Sequence, residues 1–173
     1  ETGTTMYFQP MAPGYNKVFN RPFDEFWCCT GTGMENFSKL GDNIYSINGD
    51  GVSVHMFFSS EVTDASHNLR LTQDANMPNS DTATFTVAAA DGGTVAAGTT
   101  LRLRKPDWLA GDAVIMRNGE MAGLEEENGY YLVKNVKEGD EISYQMPMKV
   151  VVYRMPDKPD MVAFKYGPVA LSA

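Results

Sequence analysis

The sequence predicts an all-β protein, an antiparallel β-sandwich of jelly-roll-like type, with a short helix and a loop segment ahead of it. Three observations carry this. From residue 42 onward, apolar and polar residues alternate in short runs; Asn-Gly and Gly-Asp pairs punctuate those runs; and helical periodicity is confined to one stretch near the N-terminus. A period of two places every second side chain on one face of a sheet, and about ten such runs suffice for two packed sheets.

The first element is a loop. From Thr2 to Phe26, Tyr7, Phe8, Tyr15, Phe19, Phe23 and Phe26 are interleaved with Pro10, Pro13, Gly14 and Pro22. That density of breakers excludes a helix, and the aromatic content points to a segment lying against another surface. The helix follows. Thr32 and Glu35 stand at capping-box spacing, Met34, Phe37 and Leu40 recur at helical spacing, and Gly41 is a C-terminal stop. The pattern predicts a helix from about Gly33 to Leu40. The capping box accounts for Glu35 without a catalytic role.

Beyond Gly41 the strands begin, dividing the chain into segments 1–41 and 42–173. Ile44 to Ile47 and Val52 to Met56 flank Asn48-Gly49-Asp50-Gly51, a strong hairpin signal. Alternation continues through Leu69 and Leu71, Phe85 to Ala89, Leu101 and Leu103, Val114 and Met116, Tyr130 to Lys134, Glu141 to Gln145, Val150 to Arg154 and Met161 to Tyr166. Turns are expected at Asp91-Gly92-Gly93, Asn118-Gly119, Asn128-Gly129 and Gly139-Asp140. The acidic run Glu125-Glu126-Glu127 beside Asn128-Gly129 reads as a solvated turn.

Composition bounds the function. With 173 residues, 43% hydrophobic and 21% charged, the chain has enough material for one main core. A net charge of −8 repels phosphates and anionic lipid, so neither nucleic acid nor a membrane is an expected partner. No apolar run approaches the ~20 residues of a spanning helix. The chain opens at Glu1-Thr2-Gly3 without methionine, as expected of a piece of something longer.

Chemistry concentrates at Cys28 and Cys29. Adjacent cysteines seldom form a disulfide, because the small ring strains the peptide between them. They lie just ahead of the predicted helix, where backbone N–H groups and the positive dipole end favour thiolate over thiol. Two readings stand. The pair fills a gap under the helix, as small buried thiols often do, or it supplies two of the four ligands of a tetrahedral zinc. No third cysteine exists, and His55 and His67, the only histidines, lie in the β portion; strand histidines more often pack than ligate.

The run from Phe23 through Trp27-Cys28-Cys29-Thr30-Gly31-Thr32-Gly33-Met34-Glu35 to Gly41 closely resembles the vicinal-cysteine motif of β-L-arabinofuranosidase-type glycoside hydrolases, families 127 and 146, formerly a domain of unknown function. Leu101-Arg102-Leu103-Arg104-Lys105-Pro106-Asp107-Trp108, Gly139-Asp140-Glu141 with Met146-Pro147-Met148, and Tyr166-Gly167-Pro168 are similar to that family's later landmarks.

The resemblance implies a C-terminal part of a larger enzyme. Residues 1–41 would be the C-terminal edge of a catalytic α/α-barrel, and 42–173 a β-sandwich domain behind it. It implies Cys28 as the nucleophile on the anomeric carbon, and Cys28 and Cys29 as zinc ligands. Two further ligands, a glutamate and a cysteine, and the acid/base glutamate would come from upstream. The expected partners are an arabinofuranoside-type carbohydrate and the rest of the barrel. The expected compartment is bacterial periplasmic or secreted rather than cytoplasmic. Alone, this chain is expected to be inactive and to hold no zinc tightly, with its N-terminal aromatic stretch disordered, self-associating or packed back onto the sandwich. The alternative is a non-catalytic sandwich that supports the barrel or binds carbohydrate, with Trp108, Tyr130, Tyr131 and Tyr153 as stacking candidates.

Overall fold

A computed structural model describes residues 4–7, 14–25 and 27–171. The chain divides into two compact units, meeting between Asn43 and Ile44. In the first, α1 spans Cys28–Ile44. It starts five residues earlier and ends four later than the sequence pattern predicts. The glycines read as boundaries, Gly33 and Gly41, lie inside it. Short polar side chains fold back onto the helix rather than cap it: Thr32 Oγ1 donates to the Cys28 carbonyl at 3.3 Å, Ser38 Oγ to that of Glu35 at 2.7 Å, and Asn43 Nδ2 to that of Lys39 at 2.9 Å. The Thr32–Glu35 capping box is therefore not formed. Ahead of α1, Arg21 and Glu25 pair through side chain and backbone, while Phe8 and Phe26 of the aromatic segment lie outside the described residues.

Among the described residues the second unit holds fourteen strands. They are β1 (Tyr45–Asn48), β2 (Gly51–Val54), β3 (Ser60–Asp64), β4 (Leu69–Ala75), β5 (Thr82–Ala89), β6 (Thr100–Arg104), β7 (Val114–Arg117), β8 (Glu120–Met121), β9 (Glu125–Glu127), β10 (Tyr130–Val133), β11 (Glu141–Gln145), β12 (Val150–Arg154), β13 (Val162–Tyr166) and β14 (Val169–Leu171). One sheet has the order β1-β2-β6-β10-β9, the second β3-β4-β5-β11-β7-β8, and β12-β13-β14 form a small third. Every pairing is antiparallel except β2 with β6, where Gly51 lies opposite Thr100. That approach is close enough that a Cβ on Gly51 would meet the Thr100 carbonyl oxygen at 2.0 Å.

The expected alternation is realised side chain by side chain. Leu69 and Leu71 of β4, Ala83, Phe85 and Val87 of β5, and Ile142 and Tyr144 of β11 face Val52, Val54, Leu101, Leu103, Tyr131 and Val133 of the first sheet in one buried core. Phe57 and Tyr131 pack edge-on against Tyr144 at 5.5 and 5.9 Å, and burial pushes the Tyr144 phenol well above its ordinary range. The turns at Asn118-Gly119 and Asn128-Gly129 have positive φ at both residues, as two-residue hairpins require.

The acidic run Glu125 to Glu127 is corrected by the structure. It is an edge strand, β9, paired with β10. Lys134 and Lys105 pair with Glu125 and Glu126 at 2.5 and 2.7 Å. An edge strand carrying charge resists pairing with other chains, so composition alone hides its conformation.

Two turns are held together by a charged clip. His67 Nδ1 bonds the Asp64 carboxylate, and Nε2 faces the Gly49 carbonyl at 3.2 Å. Both partners only accept, so both ring nitrogens must carry hydrogen, which is the imidazolium form. The Asp64 bond, with Gly49 and Asp50 adding, accordingly raises the His67 pKa. Burial pushes Asp64 up, but bonds from Ser66 and His67 outweigh it and hold that carboxyl below its usual value. A raised cationic group stabilises the fold fully below its unfolded pKa, about 6.5, and ceases to do so as pH rises through its folded value. The urea midpoint is expected to fall as pH climbs from roughly 6 through that raised value. The decline should be absent in His67→Gln, and an equal decline in the variant would exclude the clip as its source.

Candidate active-site segment

The first turn of α1 carries both thiols, so they are part of the helix rather than ahead of it. Cys28 and Cys29 are free and exposed, with Sγ atoms 3.7 Å apart. A disulfide needs ~2.05 Å between sulfurs. Two thiolates on one tetrahedral zinc, each at about 2.3 Å, stand ~3.8 Å apart. The pair already holds that separation.

Around the thiols, Tyr7 Oη lies 3.6 Å from Cys29 Sγ, and the Tyr7 ring rests on Trp27 with centroids 5.2 Å apart. The bond with Cys29, reinforced by the charge of both nearby thiols, raises the Tyr7 phenol above its ordinary pKa. Tyr7 was legible in the sequence only as one aromatic of a loop; no spacing rule links it to a residue 22 positions on. Thr30 Oγ1 is buried with no hydrogen-bond partner among the described residues. Among those residues no group of three or more His, Cys, Asp and Glu gathers as a metal set. The thiols fit zinc as half of a ligand set.

Neither histidine is a free ligand. His67 belongs to the clip, and His55 holds Tyr130 Oη at 2.9 Å through Nδ1 and Ser46 Oγ at 2.9 Å through Nε2. Burial, with the Arg104 charge, lowers the His55 pKa. Glu35 stands exposed on α1. Of the stacking candidates, Tyr131 is core, Trp108 packs partly buried against the core, Tyr153 lies under Lys165 at 5.5 Å, and Tyr130 is half-buried on the outer face of the first sheet.

Residues 51–148 match the profile of the β-L-arabinofuranosidase GH127 middle domain, and residues 1–42 that of the GH127 catalytic domain. The chain belongs to the GH127 β-L-arabinofuranosidase family. A crystal structure of a GH127 β-L-arabinofuranosidase from Geobacillus stearothermophilus T6 is 25% identical with a TM-score of 0.68, over 83% of this chain and 23% of that one. A GH127 beta-arabinofuranosidase shares the fold at 19% identity and TM-score 0.76, over 97% of this chain and 29% of its own. A structure described as a glycoside hydrolase does so at 18% and 0.77, over 97% and 30%. The chain thus spans less than a third of these solved relatives. No curated protein matches it.

Proposed function

We propose that this chain is part of a zinc-assisted glycoside hydrolase that cleaves arabinofuranosides with Cys28 as nucleophile. The observation that carries the reading is the exposed thiol pair, 3.7 Å apart, within a segment matching a GH127 catalytic domain. In this reading residues 1–41 are the last part of a catalytic α/α-barrel, and the sandwich supports it. Met34 and Phe37, one turn apart on α1, are 56% and 78% exposed. Such an apolar stripe is what a helix shows when the surface it packs on belongs to another part of its domain.

Cys28 and Cys29 would hold the metal together with ligands from a longer chain. A bound zinc deprotonates the thiols that ligate it, giving thiolate at neutral pH. Cys28 Sγ attacks the anomeric carbon as the glycosidic C–O bond breaks; the leaving oxygen takes a proton from an acid outside these residues. Water, giving a proton back to that same group, then displaces sulfur and frees the sugar with its configuration retained. Tyr7, in contact with Cys29, orients the second sulfur.

Two thiolates are half of a tetrahedral set. The 173-residue chain is therefore expected to bind Co²⁺ weakly, to show a sulfur-to-cobalt charge-transfer band that either Cys28→Ser or Cys29→Ser removes, and to hydrolyse no arabinofuranoside. Turnover by this chain, or a band that survives both substitutions, would overturn the reading.

A further inference from the structure

We infer that a trough across the outer face of the first sheet, lined by Asn48, Asp50, Ser53, Arg102, Glu127 and Tyr130, is a binding site for a neutral oligosaccharide. The depression is shallow and open to solvent, with a volume of about 290 Å³, at the lower end of the range of small-ligand sites. It lies wholly in the sandwich and needs neither thiol, so it stands apart from the catalytic reading.

Its centre is Arg102 on β6, which donates through both Nη atoms to Asp50, at 2.7 and 2.6 Å. The Glu127 carboxylate acts on the same guanidinium electrostatically. The floor is Ser53, 5% exposed although it points away from the core, its hydroxyl accepting from Asn48 Nδ2 at 2.7 Å. The wall is Tyr130, whose hydroxyl is tied to His55 and whose ring meets the imidazole edge-on at 5.7 Å. A ring anchored at both hydroxyl and edge is fixed before any ligand arrives, which lowers the entropy cost of stacking on it. Glu127, and Asn128 at the lip, make no side-chain hydrogen bond or ion pair among the described residues.

The chemistry selects the ligand. Asp50 already neutralises Arg102 and Glu127 is left over, so the trough is net negative and repels phosphates and carboxylates. What remains are planar acceptors and donors beside an aromatic face. Vicinal hydroxyls donate to a carboxylate and accept from an amide or guanidinium, and a sugar's C–H face lies on the ring. Neutral carbohydrate meets all of these demands at once.

The test is titration of the ¹⁵N-labelled 173-residue chain with arabinotriose, and with a galacturonate trimer as the charged comparison. Saturable shifts are expected at the amides of Asn48, Asp50, Ser53, Glu127 and Tyr130, with the acidic trimer binding more weakly. Glu127→Gln should weaken binding about tenfold at unchanged melting temperature, and Asn48→Ala about tenfold with a lowered melting temperature, since it also removes the bond to buried Ser53. The Cys28→Ser/Cys29→Ser double variant should bind as wild type, so a failure here leaves the thiol reading standing. No saturable shift, shifts mapping elsewhere, tighter binding of the acidic trimer, or affinity indifferent to both substitutions would overturn the inference.

Discussion

Cys28→Ala, made in the full-length enzyme proposed here, is expected to cut turnover of an arabinofuranoside by on the order of 10³-fold or more, with KM little changed. A nucleophile acts mainly in the transition state, so its loss falls on kcat rather than on substrate binding. Cys29→Ala should differ in kind. Under the proposed mechanism it removes a ligand and not the attacking atom, so added zinc should restore part of its activity but none of that lost in Cys28→Ala. Mass spectrometry of enzyme quenched during turnover should find a pentosyl adduct on the peptide containing Cys28. Full turnover by Cys28→Ala would end the mechanism, whatever the fate of the metal.

Asp140→Ala carries the largest expected cost to stability, about 3–5 kcal/mol, a large share of the ~5–15 kcal/mol that holds an ordinary domain. Asp140 is 5% exposed. It accepts from Arg117 Nη2 at 2.5 Å, Asn118 Nδ2 at 2.8 Å and the Lys137 backbone N–H at 2.6 Å. Arg117 continues to the carbonyls of Lys134 and Asn135, so the carboxylate joins β7, the end of β10 and the turn before β11. Removing it leaves a partly buried guanidinium without its counter-ion. Burial pushes the Asp140 carboxyl up, but Arg117, Lys137 and Asn118 outweigh it and hold the pKa below its ordinary value. A depressed carboxyl stabilises above its unfolded pKa of about 3.9 and ceases to do so as pH falls through the folded value. Urea unfolding near neutrality should show the full loss in Asp140→Ala, and the gap from wild type should narrow in acid. A midpoint shift equal to that of an exposed Asp→Ala control would refute the role.

The parts of the fold that were legible are those governed by short-range rules. Asn118-Gly119 and Asn128-Gly129 name their own turns because only residues tolerating positive φ fit them, and β4 and β5 announce their buried faces by strict alternation. Four strands escaped: β8 and β14 are only two and three residues long, and the other two answer to solvent. β3, Ser-Glu-Val-Thr-Asp, has one apolar side chain and sits at a sheet edge, and β9 is three glutamates. The helix was found but its ends were misplaced, since Gly33 and Gly41 are poor helix formers that α1 nonetheless includes. The thiol pair stood out as adjacent residues of unusual chemistry. The sheet-face trough did not, because Asp50, Arg102 and Glu127 are neighbours only through the pairing of β2, β6, β10 and β9, which no local pattern encodes.

The parallel seam between β2 and β6 also bears on how the chain acquires its shape. Residue 51 meets residue 100 there, whereas β1 and β2 close on each other across a two-residue turn. On a ribosome the first hairpin would emerge complete, yet half its backbone groups would stay unpaired until some fifty further residues had been made. The sheet is thus assembled from a piece that is ready early and a neighbour that arrives late. The interval between them is when a nascent strand is most open to capture by a chaperone or by another chain.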